Sequence, residues 1–431
     1  MMFKNNRSRR AVAIVALSLA AGLVLTSCGR ADSAGSDASA IDALDDQPAT
    51  GELNIWAQAD EAAALPAFAE EFLELNPDLT INVTALPWDA AHNKYQTAIA
   101  AGTTPDMAQM GTTWMADFSG AFTPVPEGID TSGFFEGSLS TNMVGDQLFG
   151  VPWYVDTRVF YFRKDLAETA GFPEGAQTWD EFKEFTKALQ TEAGAEYGVG
   201  LPSSGTDAFQ SMLMFPWSNG AEITNADQTE WTLDSPEWVE AMEYYESFFS
   251  EGIANPDAET GAGSGESEFV SGKTPVLTGG PSLIGSLTAA GGGEDYKDMI
   301  GVMRVPEEVS STSFTGGSNL VVFEKSQNPE AAWKFARWLS EPDVQVRWQQ
   351  AVGDLPAVES AWDDPALADD ELLSVLGEQL TDTNSPPTLT TWTQVSAQAD
   401  KALEQIIRAG ADPAQTMADL QSAAESIGTG Q

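Results

Sequence analysis

The sequence predicts an α/β fold divided into two lobes, and two observations lead to this expectation. The chain has 431 residues, which is more than one hydrophobic core usually supports. Beyond residue 50, strand and helix patterns alternate, which is typical of a mainly parallel sheet covered by helices. Hydrophobic residues make up 42% of the chain and aromatic residues 10%, so wholesale disorder is excluded.

The strand and helix patterns follow one another without a long gap. The predicted order is strand 52–57, helix 65–75, strand 79–85, helix 90–101 and strand 107–110. Further helices are predicted to begin at a capping box, Thr178 to Glu181, and at the pairs Ser235-Pro236 and Asn328-Pro329. A βαβαβ start followed by helix-rich segments is consistent with two α/β lobes.

Residues 1–27 have the pattern of a signal peptide. A positively charged head contains Lys4, Arg7, Arg9 and Arg10. An apolar run over residues 11–25 follows, which is short for a membrane span but suits a signal-peptide core. The run ends in Leu-Thr-Ser-Cys, and small residues before a cysteine are what a lipoprotein signal peptidase accepts. We therefore predict that Cys28, the one cysteine of the chain, carries lipid; a buried structural thiol is the alternative.

Residues 28–50 are predicted to comprise the lipidated cysteine and a flexible tether, because they are rich in Ser, Ala and Asp and contain no aromatic residue. Removing residues 1–27 takes away four basic and no acidic residues, so the formal net charge changes from −45 to −49. Such a field repels nucleic acid, and we expect no nucleic-acid partner. The predicted location is the extracytoplasmic face of the cell membrane, with the protein held by its lipid anchor.

The chain has few of the side chains that enzymes commonly use for catalysis. His92 is the single histidine, so a Ser/His/Asp triad or a histidine-containing metal site would have to use it. With Cys28 assigned to lipid, thiol catalysis and cysteine–zinc sites are also excluded. The chain has no phosphate-binding glycine loop followed by Lys-Ser or Lys-Thr. We predict no catalytic residue, no metal and no cofactor, while a carboxylate pair for glycoside hydrolysis stays open as an alternative.

The 13 tryptophans say more about the ligand than the residues that enzymes commonly use for catalysis. Several stand beside polar residues at predicted strand ends, namely Trp56 near Gln58 and Asp60, Trp88 beside Asp89, and Trp153-Tyr154 near Asp156 and Arg158. An aromatic plane matches the apolar face of a sugar ring, and carboxylates, amides and Arg match its hydroxyls. Ligands of open α/β sheets bind beyond the carboxyl ends of strands. Three other tryptophans, at helical spacing among apolar residues, are predicted to lie in the core: Trp179, Trp333 and Trp338.

Residues 150–158 read Gly-Val-Pro-Trp-Tyr-Val-Asp-Thr-Arg, and residues 160–166 read Phe-Tyr-Phe-Arg-Lys-Asp-Leu. In these segments the chain resembles the family 1 extracellular solute-binding proteins, particularly the maltose-, trehalose- and oligosaccharide-binding lipoproteins of ABC importers. The resemblance covers nearly all of residues 51–427. Supporting segments occur in the expected order at residues 103–106, 215–220, 272–281, 316–320 and 328–345.

The resemblance implies two Rossmann-like lobes with a ligand cleft and hinge crossings, as in type II periplasmic binding proteins. The N-lobe would contain residues 51–157 and 316–357, and the C-lobe residues 158–315 and 358–431. Crossings between the lobes are expected near residues 156–158, 313–317 and 358–363.

The resemblance also implies a set of ligand-binding residues. The N-lobe candidates are Gln58, Asp60, Asp89, His92, Thr113 and Trp114. Those at the two hinges are Trp153, Tyr154, Asp156, Arg158, Gly317 and Asn319. The C-lobe candidates are Asp207, Gln210, Trp217, Gly280, Ser282 and Trp392. Many relatives carry an aromatic residue where this chain has Ser282, so one stacking platform is missing here.

The function implied is reversible capture of a sugar for an ABC importer. We expect a di- or oligosaccharide, with an α-glucoside favoured, bound by a monomer that delivers it to separate permease subunits and, through them, to a cytoplasmic ATPase. Two alternatives remain. One is a surface-anchored glycan-processing enzyme, and the other is the same fold binding a non-sugar such as a glycerophosphodiester.

Overall fold

The computed structural model of the chain describes residue 41 and residues 43–205, 207–258 and 263–430. The predicted signal peptide and the predicted lipid site at Cys28 lie outside the described residues. Within the described ranges, no helix combines the length and apolar character that a membrane crossing requires.

The strands of the described residues form two larger sheets and one hairpin. Their bounds are β1 Gly51–Gln58, β2 Leu79–Leu86, β3 Met107–Gly111, β4 Met143–Val144, β5 Gln147–Leu148, β6 Gly150–Thr157, β7 Val159–Arg163, β8 Val276–Gly279, β9 Ile300–Met303, β10 Ser313–Val322, β11 Leu355–Pro356 and β12 Thr383–Asn384. The large sheet has the order β11-β6-β10-β3-β1-β2, with β12 also pairing with β10. The small sheet has the order β8-β7-β9, and β4 pairs with β5.

Helices cover both sheets. Their bounds are α1 Ala59–Phe68, α2 Glu70–Leu75, α3 Trp88–Ala101, α4 Met115–Phe118, α5 Glu136–Ser140, α6 Lys164–Ala170, α7 Trp179–Thr191, α8 Ala208–Met212, α9 Met214–Ser218, α10 Pro236–Ser250, α11 Ser264–Ser271, α12 Ser282–Ala290, α13 Pro329–Leu339, α14 Pro342–Val352, α15 Pro365–Ala368, α16 Glu371–Leu380, α17 Trp392–Ala409 and α18 Pro413–Ile427. The predicted mixture of helix and strand is therefore confirmed.

The predicted βαβαβ start is confirmed. Strand β1 pairs in parallel with both β2 and β3, as expected for strands joined by crossover helices. The helix predicted over residues 65–75 is in fact two helices, α1 and α2, which meet at Ala69. Leu65 and Phe72 face the core, whereas Leu75 is 67% exposed because it lies in the last turn of α2, beyond the packed surface.

The predicted helix starts are confirmed by their side-chain caps. Thr178 accepts a hydrogen bond from the backbone N–H of Glu181, and Ser235 accepts one from Trp238. Asn328 likewise accepts from the N–H three residues on, and proline occupies the first helical position after both Ser235 and Asn328. A side-chain oxygen here satisfies an amide that has no partner within the helix, which explains why the sequence signals were reliable.

The chain passes from one sheet to the other between β6 and β7 and again between β9 and β10. Strands β6 and β7 belong to different sheets and are separated by Arg158 alone. Strand β10 pairs with β12 through its first two residues and with β6 from Thr315 onward. Thr315 lies directly opposite Thr157 in this pairing, and the Ser313 hydroxyl donates to the Arg158 carbonyl at 2.6 Å. The two segments that connect the sheets therefore run side by side.

Two apolar cores flank strand β7. Phe160 and Phe162 point into the core formed with α7, α10 and α17. Val159 and Tyr161 point into the core of the large sheet, because successive strand residues face opposite sides. Leu376 of α16 joins that second core, so residues beyond the proposed 357/358 boundary also pack against the large sheet.

The folded body begins earlier than the sequence suggested. Residues 43–50 were expected to belong to a flexible tether, but Ala49 is buried and its N–H donates to the Asn76 side chain. Lys334, which is 5% exposed, forms ion pairs with Asp45 and Glu330. A buried ammonium requires such partners, so its carboxylate contacts hold this segment against α13. The expectation of a tether through residue 50 is corrected for these residues.

Candidate ligand-binding site

Two cavities open beyond the carboxyl ends of β1, β3 and β6. The first, which we call the Trp114 cavity, has a volume of about 680 Å³. The second, which we call the Asp354 cavity, has a volume of about 650 Å³. Asp156 lines both. Each volume is in the range of small-molecule sites.

The Trp114 cavity brings together half of the predicted ligand-binding residues. Those lining it are His92, Thr113, Trp114, Asp156, Arg158, Asp207, Gln210, Gly317 and Trp392. The Asp354 cavity contains four predicted residues, Asp60, Tyr154, Asp156 and Ser282. Residues separated by up to 300 positions in the chain therefore surround a common space.

One wall of the Trp114 cavity is aromatic. The rings of Trp88 and Trp114 lie edge to face with centroids 5.6 Å apart, and the His92 ring meets Trp114 at 5.5 Å. Trp88 is 38% exposed, one of few large apolar side chains of the described residues that reach solvent. His92 is held in place by a 2.9 Å contact between its Nε2 and Asp117. Exposed aromatic edges and faces beside polar groups provide a surface for the apolar face of a sugar.

Asp156 and Arg158 form the polar centre of the site. Their side chains lie on the same side of the extended chain and are joined by an ion pair. The Arg158 guanidinium also lies over the Phe314 ring, 5.5 Å from its centroid. The Asp156 Oδ1 atom is buried and has no hydrogen-bond partner among the described residues. A buried carboxylate oxygen without a donor is a natural acceptor for a ligand hydroxyl.

Gly280 lets the segment that follows β8 approach the Asp156–Arg158 ion pair. A Cβ atom at that position would lie 2.3 Å from Asp156 Oδ1 and 2.7 Å from Arg158 Nη1, so a larger residue would displace the side chains of this ion pair. The Tyr161 hydroxyl holds the segment by donating to the Gly280 carbonyl at 2.7 Å. Gly280 therefore acts through its backbone and its lack of a side chain.

The Asp354 cavity is strongly acidic. Burial, together with the negative charges of Glu61, Asp156 and Asp60, raises the pKa of Asp354 to about 8, although a hydrogen bond from Trp348 opposes the shift. Beneath it, the Tyr154 hydroxyl donates to Glu61 at 2.6 Å. Burial, followed by the nearby carboxylates, raises the pKa of that hydroxyl too. Asp354 thus carries a proton over much of the neutral range.

This proton makes stability depend on pH. Between the ordinary pKa of 3.8 and a folded value of about 8, only the folded state holds the proton, so stability should fall as pH rises through this window. Asp354→Asn cannot ionise but keeps an acceptor for Trp348. We expect it to be more stable than the wild type by on the order of 2 kcal/mol at pH 8, with no difference near pH 4.

Urea denaturation at pH 4, 6 and 8 measures this difference in unfolding free energy. Asp369→Asn is a matched control, because it makes the same substitution at an exposed side chain and should leave the unfolding free energy unchanged. A gap between Asp354→Asn and the wild type that stays constant with pH would contradict the assignment.

Two tryptophans predicted to contact ligand are instead buried. Trp153 is 2% exposed and stacks on Trp348, with centroids 4.9 Å apart. Trp217 is 3% exposed and lies behind Phe314 at 6.4 Å. The expectation that their rings face the cleft is corrected: apolar neighbours on the core side of each strand or helix accommodate them instead.

Two predicted amide contacts are corrected for the same reason. Gln58 is fully buried, where its Nε2 donates to the Tyr95 hydroxyl at 2.6 Å. Asn319 is 1% exposed and accepts from Asn142 at 2.9 Å. The Asn319 amide is therefore satisfied inside the protein, whereas the Gln58 Oε1 atom is buried without a partner among the described residues. Asp89 lies in α3, and the prediction for its side chain falls outside what the structure describes.

Sequence reasoning missed other residues that line the Trp114 cavity. The main ones are Phe314, Ser396 and Asp400, whereas Trp88, which also lines the cavity, had been singled out by its place beside Asp89. Ser396 and Asp400 follow Trp392 at intervals of four on α17, so helical spacing from Trp392 was a usable signal. Phe314 carried no comparable signal. Among the described residues, no group of three or more His, Cys, Asp or Glu side chains is arranged to hold a metal ion.

The model of a family described as bacterial extracellular solute-binding protein matches residues 56–346. The chain belongs to this family. The resemblance predicted from the sequence is therefore confirmed. The family consists of solute-binding proteins, so the prediction that this chain binds a solute and is not an enzyme is confirmed as well.

Individual relatives agree with this assignment. A putative binding protein of Brucella abortus is 27% identical over 390 residues, which cover 88% of this solute-binding protein and 93% of the relative. The maltotriose-binding protein of Pyrococcus abyssi is 25% identical over 340 residues, which cover 76% of this chain and 71% of the relative. The structure of the sugar-binding protein MalE from Xanthomonas citri matches with a TM-score of 0.82 and 28% identity, covering 88% of this chain and 97% of that one. This similarity confirms the predicted fold class.

Proposed function

We propose that this solute-binding protein captures a di- or oligosaccharide, with an α-glucoside favoured, in the cleft formed by the Trp114 and Asp354 cavities. The observation that carries the proposal is the pairing of an aromatic wall, Trp88 and Trp114, with the Asp156–Arg158 ion pair in one cavity. The aromatic rings match the apolar face of a sugar, and the charged groups match its hydroxyls through charge-assisted hydrogen bonds. Two of the relatives are described as a maltotriose-binding and a sugar-binding protein, which supports a sugar as the ligand.

Capture is proposed to occur by closure of two lobes, residues 51–157 with 316–357 and residues 158–315 with 358–431. The cavity residues support this, because Trp114 follows strand β3 of the large sheet, whereas Asp207 and Trp392 lie among helices of the other core. A ligand that contacts both groups at once stabilises the closed arrangement, since only there are all of its contacts made.

A calorimetric screen tests the proposal. α-Glucosides, β-glucosides, galactosides and polyols are titrated into the purified protein, and we expect at least one di- or oligosaccharide to bind. Failure of every carbohydrate tested would overturn it.

A glycerophosphodiester is the second candidate for the same cleft, and it belongs in the screen. The charges disfavour it: Asp156, Asp207 and Asp400 line the Trp114 cavity with Arg158 as the facing cation, which is itself paired. A phosphodiester brought there would meet carboxylates without a free positive charge. Binding of glycerophosphocholine in preference to every sugar would favour this candidate.

Delivery is proposed to go to the permease and ATPase subunits of an ABC importer, with the protein a monomer held at the extracytoplasmic face of the membrane. The lipid attachment is proposed at Cys28, on the pattern of small residues before that cysteine. Acyl chains at this position would supply firm anchoring.

Replacing Cys28 with Ser tests the anchor. The thiol needed for the thioether is lost, so we expect unlipidated protein in the soluble fraction or an uncleaved precursor, measured by fractionation and intact mass. Ser27→Ala keeps a small residue before Cys28 and should stay with the membrane. A processed, acyl-free Cys28→Ser protein that still sediments with membranes would contradict the assignment.

A further inference from the structure

Asp400 joins two parts of the chain that meet at the Trp114 cavity. Its Oδ2 accepts the backbone N–H of Asp207 at 3.0 Å, and its Oδ1 accepts the N–H of Phe209 at 2.9 Å. Both carboxylate oxygens are thus used on the segment that begins α8, 193 residues away in sequence. Hydrogen bonds from amides to a carboxylate are stronger than those to a neutral acceptor.

The segment that Asp400 holds has an uncommon backbone. Asp207 adopts a φ of 60° and a ψ of 15°, in the left-handed region that non-glycine residues seldom occupy. Such a conformation persists only when its surroundings maintain it. The two hydrogen bonds that Asp400 accepts come from the N–H of Asp207 itself and from that of Phe209, two residues further on.

The held segment forms a wall of the cavity. Asp207 and Gln210 both line it, and so does Asp400 together with Trp392 and Ser396 on the same face of α17. A helix is a rigid support, whereas α8 has five residues and cannot fix its own position. The position of Asp207 and Gln210 therefore depends on α17.

We propose that Asp400 is a positioning residue, which fixes the Asp207–Gln210 wall of the Trp114 cavity in the geometry that a sugar requires. This inference rests on the proposed function, because it concerns the same cavity and the same class of ligand. Asp400 acts through Asp207 and Gln210, since its own oxygens are occupied by backbone amides.

Electrostatics supply a readout that a purely structural role would not change. Burial, and then the charge of Asp400, raise the pKa of Asp207. The other titratable or charged groups lining the cavity are His92, Asp156 and Arg158. If ionised Asp207 accepts a sugar hydroxyl, affinity falls as pH drops through its pKa. Neutralising Asp400 lowers that pKa, so the acid midpoint of binding should move to lower pH.

Asp400→Asn is the test variant. An Asn side chain accepts one of the two N–H groups and presents its own NH2 to the other, so one bond is lost. We expect the affinity for the best sugar in the screen to fall about 10-fold at pH 7 and the acid midpoint of the affinity profile to shift downward. Amide hydrogen exchange at Asp207 and Phe209 should become faster without any ligand, which provides a readout independent of binding.

Glu404→Gln is the matched control, because Glu404 lies one turn further along α17 and is exposed. It removes the same charge and should change neither affinity nor amide exchange. Wild-type affinity and an unchanged acid midpoint in Asp400→Asn would overturn the inference. So would an equal loss at every pH that parallels a loss of unfolding free energy. Absence of any sugar binding by the wild type would instead overturn the proposed function, and the inference with it.

Discussion

Gly317→Ala should lower the free energy of unfolding by about 3 kcal/mol or more, because strain and overlap act together at this position. Gly317 has a φ of 115°, which residues with a side chain seldom adopt. A Cβ atom there would lie 2.2 Å from the Tyr154 carbonyl oxygen and 2.8 Å from the Val155 Cα. Both contacts are with the backbone of β6, which cannot move aside without breaking its pairing with β10.

Gly353→Ala separates the two contributions. Gly353 also has a positive φ, of 89°, but no heavy atom would lie within 4 Å of an added Cβ. Its substitution should cost only the backbone strain, on the order of 1 kcal/mol. Urea denaturation of both variants gives the comparison. If Gly317→Ala is no more destabilising than Gly353→Ala, the close approach of β10 to β6 does not restrict position 317 to glycine.

Asp156→Asn should weaken sugar binding by roughly 10- to 150-fold, the equivalent of about 1.5–3 kcal/mol for a hydrogen bond to a charged group. The substitution keeps the shape of the side chain but removes its charge. It also leaves Arg158 without the carboxylate that now holds it. Because Asp156 borders both cavities, the loss should appear for any ligand that spans them.

Titration calorimetry against the best sugar measures this effect, with thermal unfolding recorded alongside. Asp78→Asn is the control, because Asp78 is exposed in the turn before β2, at the end of the sheet away from the cleft. It should bind as the wild type does. Unchanged binding by Asp156→Asn would show that the Asp156–Arg158 pair is a structural element of the crossing and does not bind sugar.

Local sequence signals predicted local structure well. The caps at Thr178, Ser235 and Asn328 all form, since each depends on residues within one helical turn. Trp179, Trp333 and Trp338, placed in the core by helical spacing, are all buried. The predicted tether reached too far into the folded body. Composition could not show that Lys334, almost 300 residues away in sequence, forms an ion pair with Asp45.

By itself, the sequence determined the α/β class and the family, because these follow from short-range patterns and motifs. Only the tertiary structure decided which aromatic side chains reach the Trp114 cavity. Trp153 and Trp88 both stand beside polar residues at predicted strand ends, but Trp153 packs on Trp348 while Trp88 lines the Trp114 cavity. Likewise, Asp400 joins the site only because α17 packs beside α8, and such a contact depends on how distant elements pack together, which no local pattern encodes.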